Sequence, residues 1–322
     1  MIFAKKVEAM YRQNLFSRCD DMTTAYYFST KEFPGLKSEP FSFTANAGHK
    51  LQGYFYSYDN PKPNRLVIFD HGLGRGHTSY MREIEVIAKQ GYMVFSYDHT
   101  GCVESEGANT NGFAQSLNDL DSCLKAIKKQ FAENLPQITV IGHSWGGFST
   151  LNILALHPEI KNIVAISGLT SVERMLGQIF SGFMKGYARY IYENVEKKAN
   201  PEFIKYDALE TLANTDKRAL IIHSADDKDV KCECHFEVLK SALGDRENLE
   251  FWLVNGKAHN PNYTEDAVKY KDEFFATLTK KLKNKELETP QQKQEFVDSY
   301  DWWRMTAQDM DVWNKIFEFI EE

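Results

Sequence analysis

From residue 65 onward the chain alternates two apolar patterns. Short runs rich in β-branched and aromatic residues, "RLVIFD", "YMVFSYD", "ITVIG", "NIVAIS", "ALIIH" and "LEFWLV", read as strands buried on both faces. Between them lie segments with apolar residues three and four positions apart. Phe113, Leu117, Leu120, Leu124, Ile127 and Phe131 fall on one helical face, and Pro136 closes that unit. "YMREIEVIAKQGY" predicts a helix ending at Gly91, and "GFSTLNILALH" a buried helix stopped by Pro158. Strands alternating with helices predict an α/β fold, a mostly parallel sheet covered on both faces. Upstream, "LQGYFYSY" alternates like a half-buried strand, and Pro61 and Pro63 mark a turn. The first forty residues read as a short amphipathic helix (Val7, Met10, Tyr11, Leu15) followed by an irregular aromatic stretch.

One connection is too long for a simple crossover. Roughly fifty residues separate "NIVAISG" from "ALIIH", where about a dozen suffice. The excess is helical and aromatic: Val172, Met175, Leu176, Ile179, Phe180, Phe183, Tyr187, Tyr190 and Ile191. It is either a second helical layer on the core or a cap that excludes water from a pocket. On the cap reading, Phe180, Phe183 and Tyr187 are candidate substrate contacts. After Lys285 the chain turns polar, then aromatic again. "DVWNKIFEFIEE" places Val312, Trp313, Ile316, Phe317 and Ile320 on one inward face, and Trp302 and Trp303 precede it. The expected organisation is an N-terminal extension (1–40), a core in two parts (41–170 and 216–285), an inserted helical cap (171–215) and a C-terminal helical tail docked on the core (286–322).

Composition narrows the class. The 322 residues are 43 % hydrophobic and 13 % aromatic, enough for a sizeable core. A net charge of −7 offers no electrostatic reason to expect a nucleic-acid partner. The 5 cysteines are odd in number and scattered, which fits a reducing compartment. "KCECH" is their one cluster; without a second ligand pair it reads as free thiols on a helix, with no metal expected. "MIFAKKVEAMYRQNLF" lacks the apolar region and cleavage site of a signal peptide, and no run approaches the ~20 apolar residues of a membrane span. The expectation is a soluble cytoplasmic protein. Nothing in the pattern specifies an oligomeric state.

The chemistry gathers at "ITVIGHSWGGFSTLNILALH". Gly142-His143-Ser144-Trp145-Gly146 matches Gly-x-Ser-x-Gly, with another glycine at 147, at the join of a predicted strand and a predicted helix. A sharp turn there lifts Ser144 Oγ out of the sheet and beside a helix N-terminus, where backbone N–H groups favour developing negative charge. A serine hydroxyl needs a base. Of the 9 histidines, His259 stands apart: it follows the last strand in "NGKAHNPN", with a helix expected after Asn262, whose side chain would form a capping box with Glu265. A histidine at that sheet edge reaches over a pocket. The base in turn needs an acid, and "ALIIHSADDKDV" supplies Asp226, Asp227 and Asp229. An oxyanion hole would take the N–H of Trp145, the residue after the serine, and a second donor from "DHGLGRG".

These motifs resemble the α/β-hydrolase superfamily over roughly residues 41–285. "HSADDKDV" is similar to its His-Gly-x-x-Asp-x-x-Val pattern, with Ser224 in place of the usual glycine, which implies Asp227 as the acid and Asp226 as the runner-up. His71-Gly72-Leu73-Gly74 resembles the family's His-Gly-x-Gly loop, which implies the Leu73 N–H as the second oxyanion donor. "FSYDHTGCVESEG" looks like its Tyr-Asp-x-x-Gly-x-Gly-x-Ser loop, with Val103 where a second glycine is usual. The capped lysophospholipase, monoacylglycerol lipase and serine aminopeptidase group is the most similar. The resemblance implies a serine hydrolase without metal or organic cofactor. Its site would be Ser144, Asp227 and His259, acting on a small-molecule ester or a peptide. A carboxylic ester with an apolar acyl or aryl group is the leading expectation. A serine aminopeptidase would instead place a carboxylate, from among Glu173, Glu193 and Glu196, near Ser144 to hold a substrate ammonium. A thioesterase and a non-catalytic binding protein on a hydrolase scaffold complete the alternatives.

Overall fold

The computed structural model describes residues 2–20, 22–179 and 185–322. Its strands are β1 (Lys37–Thr44), β2 (Lys50–Ser57), β3 (Arg65–Asp70), β4 (Met93–Tyr97), β5 (Gln137–His143), β6 (Asn162–Ile166), β7 (Arg218–Ser224) and β8 (Leu249–Val254). They form one sheet in the order β1-β2-β4-β3-β5-β6-β7-β8. β1, β2 and β4 pair antiparallel, and every pairing from β4 to β8 is parallel. The helices are α1 (Ile2–Leu15), α2 (Met81–Lys89), α3 (Gln115–Gln130), α4 (Trp145–Asn152), α5 (Val172–Ile179), α6 (Lys185–Ala199), α7 (Ala208–Ala213), α8 (Phe236–Leu243), α9 (Glu265–Lys283), α10 (Pro290–Asp298), α11 (Trp302–Met305) and α12 (Met310–Glu321). Among the described residues no helix is long and apolar enough to cross a membrane.

Period-two alternation along the buried strands divides the core into two layers. Leu66 and Ile68 of β3 face a layer built with Leu117, Leu120, Leu124 and Ile127 of α3, while Val67 and Phe69 face the other, with Ile84 and Ile87 of α2. The second layer also receives the segment after α1 and the C-terminal helices, whereas Tyr11, Leu15 and Phe16 join the first. Phe28 and Phe33 lie in the second with Trp302, Trp313, Ile316 and Ile320.

The sequence pattern does not announce the edge strand β1, whose first half falls in the stretch read as irregular. Its burial explains the miss: only Phe43 is buried and the strand carries Pro40, so it lacks the apolar run that marks the central strands. The helix after His259 is also capped differently. Thr264, not Asn262, is the N-cap and accepts from the Ala267 N–H at 3.2 Å. The Asn262 amide is buried and donates to Glu83 Oε1 (3.2 Å) and Gln308 Oε1 (3.0 Å), so it is not available to the helix end. "KCECH" forms a single 3₁₀ turn over Cys232–Cys234, and Nδ1 of the buried His235 accepts the Thr170 N–H at 3.1 Å.

In the long connection, Val172 and Leu176 of α5 are buried, whereas Ile179, Tyr187 and Tyr190 are exposed. α6 is tied to the rest through Glu196. This buried carboxylate accepts Tyr11 O–H from α1 at 2.6 Å and the Phe113 N–H at 3.0 Å, and Tyr11 stacks on Tyr192 with ring centroids 3.9 Å apart. Burial pushes the Glu196 carboxyl up to about 7 against these hydrogen bonds. An acid whose folded pKa exceeds its unfolded value stabilises the fold below the unfolded value and loses that contribution as pH rises through the folded one. Stability should therefore fall between about pH 4.5 and 7. Glu196→Gln, which keeps an acceptor without the charge, should flatten that slope. Urea unfolding of both proteins across this range measures it; an unchanged slope in Glu196→Gln would refute the assignment.

Candidate active site

β5 ends at His143, and Ser144 follows with φ +57° and ψ −111°, a backbone conformation that non-glycine residues avoid. It persists because its surroundings leave no alternative. Ser144 N–H bonds to the Ile166 carbonyl at 2.9 Å, and its own carbonyl accepts the Phe148 N–H at 3.0 Å to start α4. The flanking glycines are needed for close approach. A Cβ on Gly142 would sit 2.2 Å from the Gly146 carbonyl oxygen, and one on Gly146 2.1 Å from the Asp70 carbonyl oxygen. As the first residue of α4, Trp145 has an N–H with no intrahelical carbonyl to serve.

β3 delivers the neighbouring loop. His71 is buried, and burial holds its ring neutral, with the pKa lowered to about 3. Its Nε2 accepts the His99 N–H at 3.1 Å, so Nδ1 carries the proton and donates to the Gly72 carbonyl at 2.8 Å. That bond shapes the turn through Gly72, Leu73 and Gly74. The turn packs tightly against the elbow: a Cβ on Gly72 would lie 3.4 Å from Ser144 Cβ.

β7 and β8 supply the other two groups. His259 Nδ1 and Asp227 Oδ2 are 2.8 Å apart. Asp227 is 4 % exposed, and its other oxygen accepts the N–H groups of Asp229 (2.9 Å) and Val230 (3.0 Å). Burial opposes ionisation, but the hydrogen bond and charge of His259, with the Val230 amide, hold the Asp227 carboxyl below its usual range. Asp226 does something else. Its Oδ1 accepts Ser224 O–H and the Gly256 N–H (3.0 Å), and its Oδ2 the Ala258 N–H (3.2 Å). Asp226 thus braces the loop that carries His259, and Ser224, which stands where a glycine is usual, joins the same brace. Val103, the other departure, holds φ +38°, a glycine-like backbone angle. The C-terminal tail also steadies the His259 loop: Lys257 Nζ donates to Asp309 Oδ2 at 2.6 Å and to the Tyr263 carbonyl at 2.7 Å. Asp227, Asp229 and His259 bring donor atoms within 4.8 Å of one another, but two of these groups are already bonded to each other.

A cleft of about 460 Å³ opens at this edge and is lined by Ser144, His259, Gly72, Leu73 and Gly74 together. The structure therefore brings Ser144, His259 and Leu73 to one cavity, with Asp227 behind His259. The apolar wall comes from the two chain ends: Tyr26 and Phe28 from one, Trp302 and Met305 from the other, with Phe275 of α9. Of the cap candidates, Phe180 and Phe183 lie outside the described residues. Tyr187 is 54 % exposed on α6 and does not line the cleft.

The sequence reading assigned His143 no role beyond its turn. The structure makes it a link. Gly72 N–H donates to Tyr80 Oη (3.1 Å), Tyr80 donates to His143 Nδ1 (2.9 Å), and His143 Nε2–H donates to the His259 carbonyl (2.7 Å). Burial keeps His143 neutral, with its pKa lowered to about 3. The chain of bonds joins all three site loops. Tyr80→Phe leaves Gly72 N–H and His143 Nδ1 without their partner, and a buried unsatisfied group costs about 1–3 kcal/mol. We expect kcat on an aryl ester to fall roughly tenfold, as one misplaced loop would cause. Steady-state kinetics checks it, and unaltered kcat would remove the network from the account.

Comparison with known proteins places these observations. A family profile described as serine aminopeptidase, S33, matches residues 61–211. Monoglyceride lipase of Rattus norvegicus is 28 % identical over 123 residues, 37 % of this chain and 40 % of that protein. A monoglyceride lipase homolog of Monkeypox virus is 33 % identical over 95 residues, 29 % of this chain and 33 % of that protein. The matched stretches thus span less than half the length of either relative. Among solved structures, an esterase of Pyrococcus furiosus superposes with a TM-score of 0.59 at 23 % identity, covering 84 % of this chain and 98 % of that one. An α/β hydrolase of a Penicillium species gives 0.51 at 17 % identity, covering 69 % and 91 %. At these identities the structural likeness speaks to the fold.

Proposed function

We propose that the chain is an esterase- or lipase-like member of the α/β-hydrolase superfamily, a serine hydrolase cleaving carboxylic esters through an acyl-enzyme; the profile match over residues 61–211, the monoglyceride lipase relatives and the fold shared with an esterase support the reading. The observation that carries the proposal is the meeting at one cleft of the strained Ser144, the loop through Leu73, and His259 bonded to a buried carboxylate. In the proposed mechanism Ser144 Oγ attacks the acyl carbon while His259 takes its proton. The N–H groups of Leu73 and Trp145 receive the oxyanion, and Asp227 holds the imidazole tautomer and stabilises the imidazolium. His259 then protonates the leaving alcohol, and water repeats the sequence on the acyl-enzyme. The aromatic wall of Tyr26, Phe28, Phe275 and Trp302 suits an apolar acyl or aryl group. No metal or organic cofactor has a part in this scheme.

The aminopeptidase reading draws on the family description alone. Glu173 and Glu193 both pair with Arg189, and Glu196 is buried against Tyr11 and Phe113. None of the three lines the cleft, and no carboxylate does among the described residues. Parallel assay of 4-nitrophenyl acyl esters and aminoacyl 4-nitroanilides tests the choice. We expect turnover of the esters; turnover of the anilides alone would reverse it.

A further inference from the structure

The cleft that holds Ser144 carries two cations and, among the described residues, no carboxylate: Arg75 and Lys271 both line it. That is unexpected in a chain of net charge −7. Arg75 extends from the loop that carries Leu73, and Lys271 from the second turn of α9, beyond the His259 loop. The two therefore flank the site from opposite segments. Neither has a carboxylate within ion-pair distance among the described residues, although the structure holds many such pairs elsewhere. Arg75 rests its guanidinium over the rings of Tyr27 (5.9 Å) and Phe275 (5.6 Å), and one of its nitrogens lies 3.4 Å from Thr24 Oγ1. Lys271 Nζ donates to Asn260 Oδ1 at 2.7 Å and lies 5.2 Å from the Tyr263 ring centroid. Both ions are thus held by neutral groups, at fixed positions, beside an apolar wall.

The electrostatics point the same way. Burial lowers the Lys271 pKa to about 8; the charge of Glu83 and, more weakly, those of Asp272 and Asp229 oppose that shift, and the charge of Arg75 adds to it. Glu83 is itself a weak counter-ion, because burial raises its carboxyl pKa and its Oε1 accepts from Asn262. Two like charges left in one partly desolvated cavity are stabilised by an anion bound with them. A guanidinium and an ammonium together give charge-assisted hydrogen bonds to a carboxylate or a phosphate.

We propose that Arg75 and Lys271 form an anion subsite of the cleft, so that the substrate is an amphiphilic ester bearing a carboxylate or a phosphate. The anion lies between the two cations, the apolar portion lies on Tyr26, Phe28, Phe275 and Trp302, and the ester carbonyl reaches Ser144. The inference rests on the reading of the cleft as an ester hydrolase site, and its test separates the two.

Two matched substrate pairs read turnover. 4-Nitrophenyl hexanoate against the mono-4-nitrophenyl ester of adipic acid places a carboxylate on the acyl side; 1-butyroylglycerol against its 3-phosphate places a phosphate on the alcohol side. The anionic member should be favoured at least tenfold in kcat/KM in one pair or both, and the ratio should collapse by a similar factor in Arg75→Gln and in Lys271→Met. Lys271→Arg, which keeps the charge, should restore most of it. Independently of turnover, hexyl phosphate should bind the intact protein in calorimetry, hexan-1-ol should bind far more weakly, and each neutral variant should lose the difference. If the esters are cleaved but neutral members are preferred in both pairs, or if the preference survives both substitutions, the anion subsite is wrong and the hydrolase reading stands. If no ester is cleaved yet hexyl phosphate binds through Arg75 and Lys271, the hydrolase reading fails and the subsite stands. If hexyl phosphate does not bind and neither anionic substrate is favoured, the subsite is overturned.

Discussion

Ser144→Ala and His259→Ala should each lower kcat on an aryl ester by a factor of roughly 10⁵–10⁶, about the loss expected when a nucleophile–base unit is broken at either member. The double variant should be little worse than either single one, because each substitution alone already removes the covalent route. Neither change should alter the fold. Ser144 lines the cleft, so its hydroxyl can be removed without opening the core, and the His259 ring is likewise at the cleft wall. Far-ultraviolet circular dichroism should match that of the unsubstituted protein for both variants, and so should the urea midpoint of Ser144→Ala; His259→Ala, which strips the buried Asp227 carboxylate of a partner, should lower the midpoint, by about 1–3 kcal/mol of stability. Additive losses, or a surviving rate above about a hundredth of the original, would require a mechanism in which the two act separately.

The two adjacent aspartates give the second large effect, and they should separate cleanly. Asp227→Asn retains the shape of the pair with His259 but can place an amide N–H against Nδ1, which selects the wrong tautomer; a loss of roughly 10⁴ in kcat is the expected scale. Asp226→Asn keeps an acceptor for Ser224 O–H and the Gly256 N–H but turns an amide toward the Ala258 N–H. Losing one loop hydrogen bond is worth about 1 kcal/mol, so kcat should remain within roughly tenfold. Measured kcat values for both variants decide the matter. Should Asp226→Asn abolish turnover and Asp227→Asn spare it, the roles are exchanged.

The legible parts of this structure share a physical trait. Strands β3 to β7 are short apolar runs buried on both faces, so composition marked them, and the elbow at Ser144 was legible because its glycines answer a local packing demand. β1 was not legible, since an exposed edge strand has no reason to be apolar. The wall of the cleft was sought in the long connection, where the aromatic residues are densest in sequence. Among the described residues the wall is made by Tyr26 and Phe28, by Trp302 and Met305, and by Phe275, segments brought beside the site by packing of parts of the chain distant in sequence; Phe180 and Phe183 lie outside the described residues. Nothing local in "TAYYFST" or "DWWRMT" announces that meeting. Arg75, Lys271, Tyr80 and His143 escaped for a related reason. His143 and Arg75 stand inside motifs that drew notice for other residues, Tyr80 and Lys271 on helical stretches without a motif, and the contacts that single them out come from segments apart in sequence.

The central claim is that Ser144 is made nucleophilic by His259 within this cleft. Its most direct test is reaction with a fluorophosphonate, followed by peptide mass spectrometry. One adduct per chain, carried by the peptide containing Ser144 and lost in both Ser144→Ala and His259→Ala, is the predicted result. An adduct on another residue, or labelling of Ser144 that proceeds unchanged without His259, would contradict it.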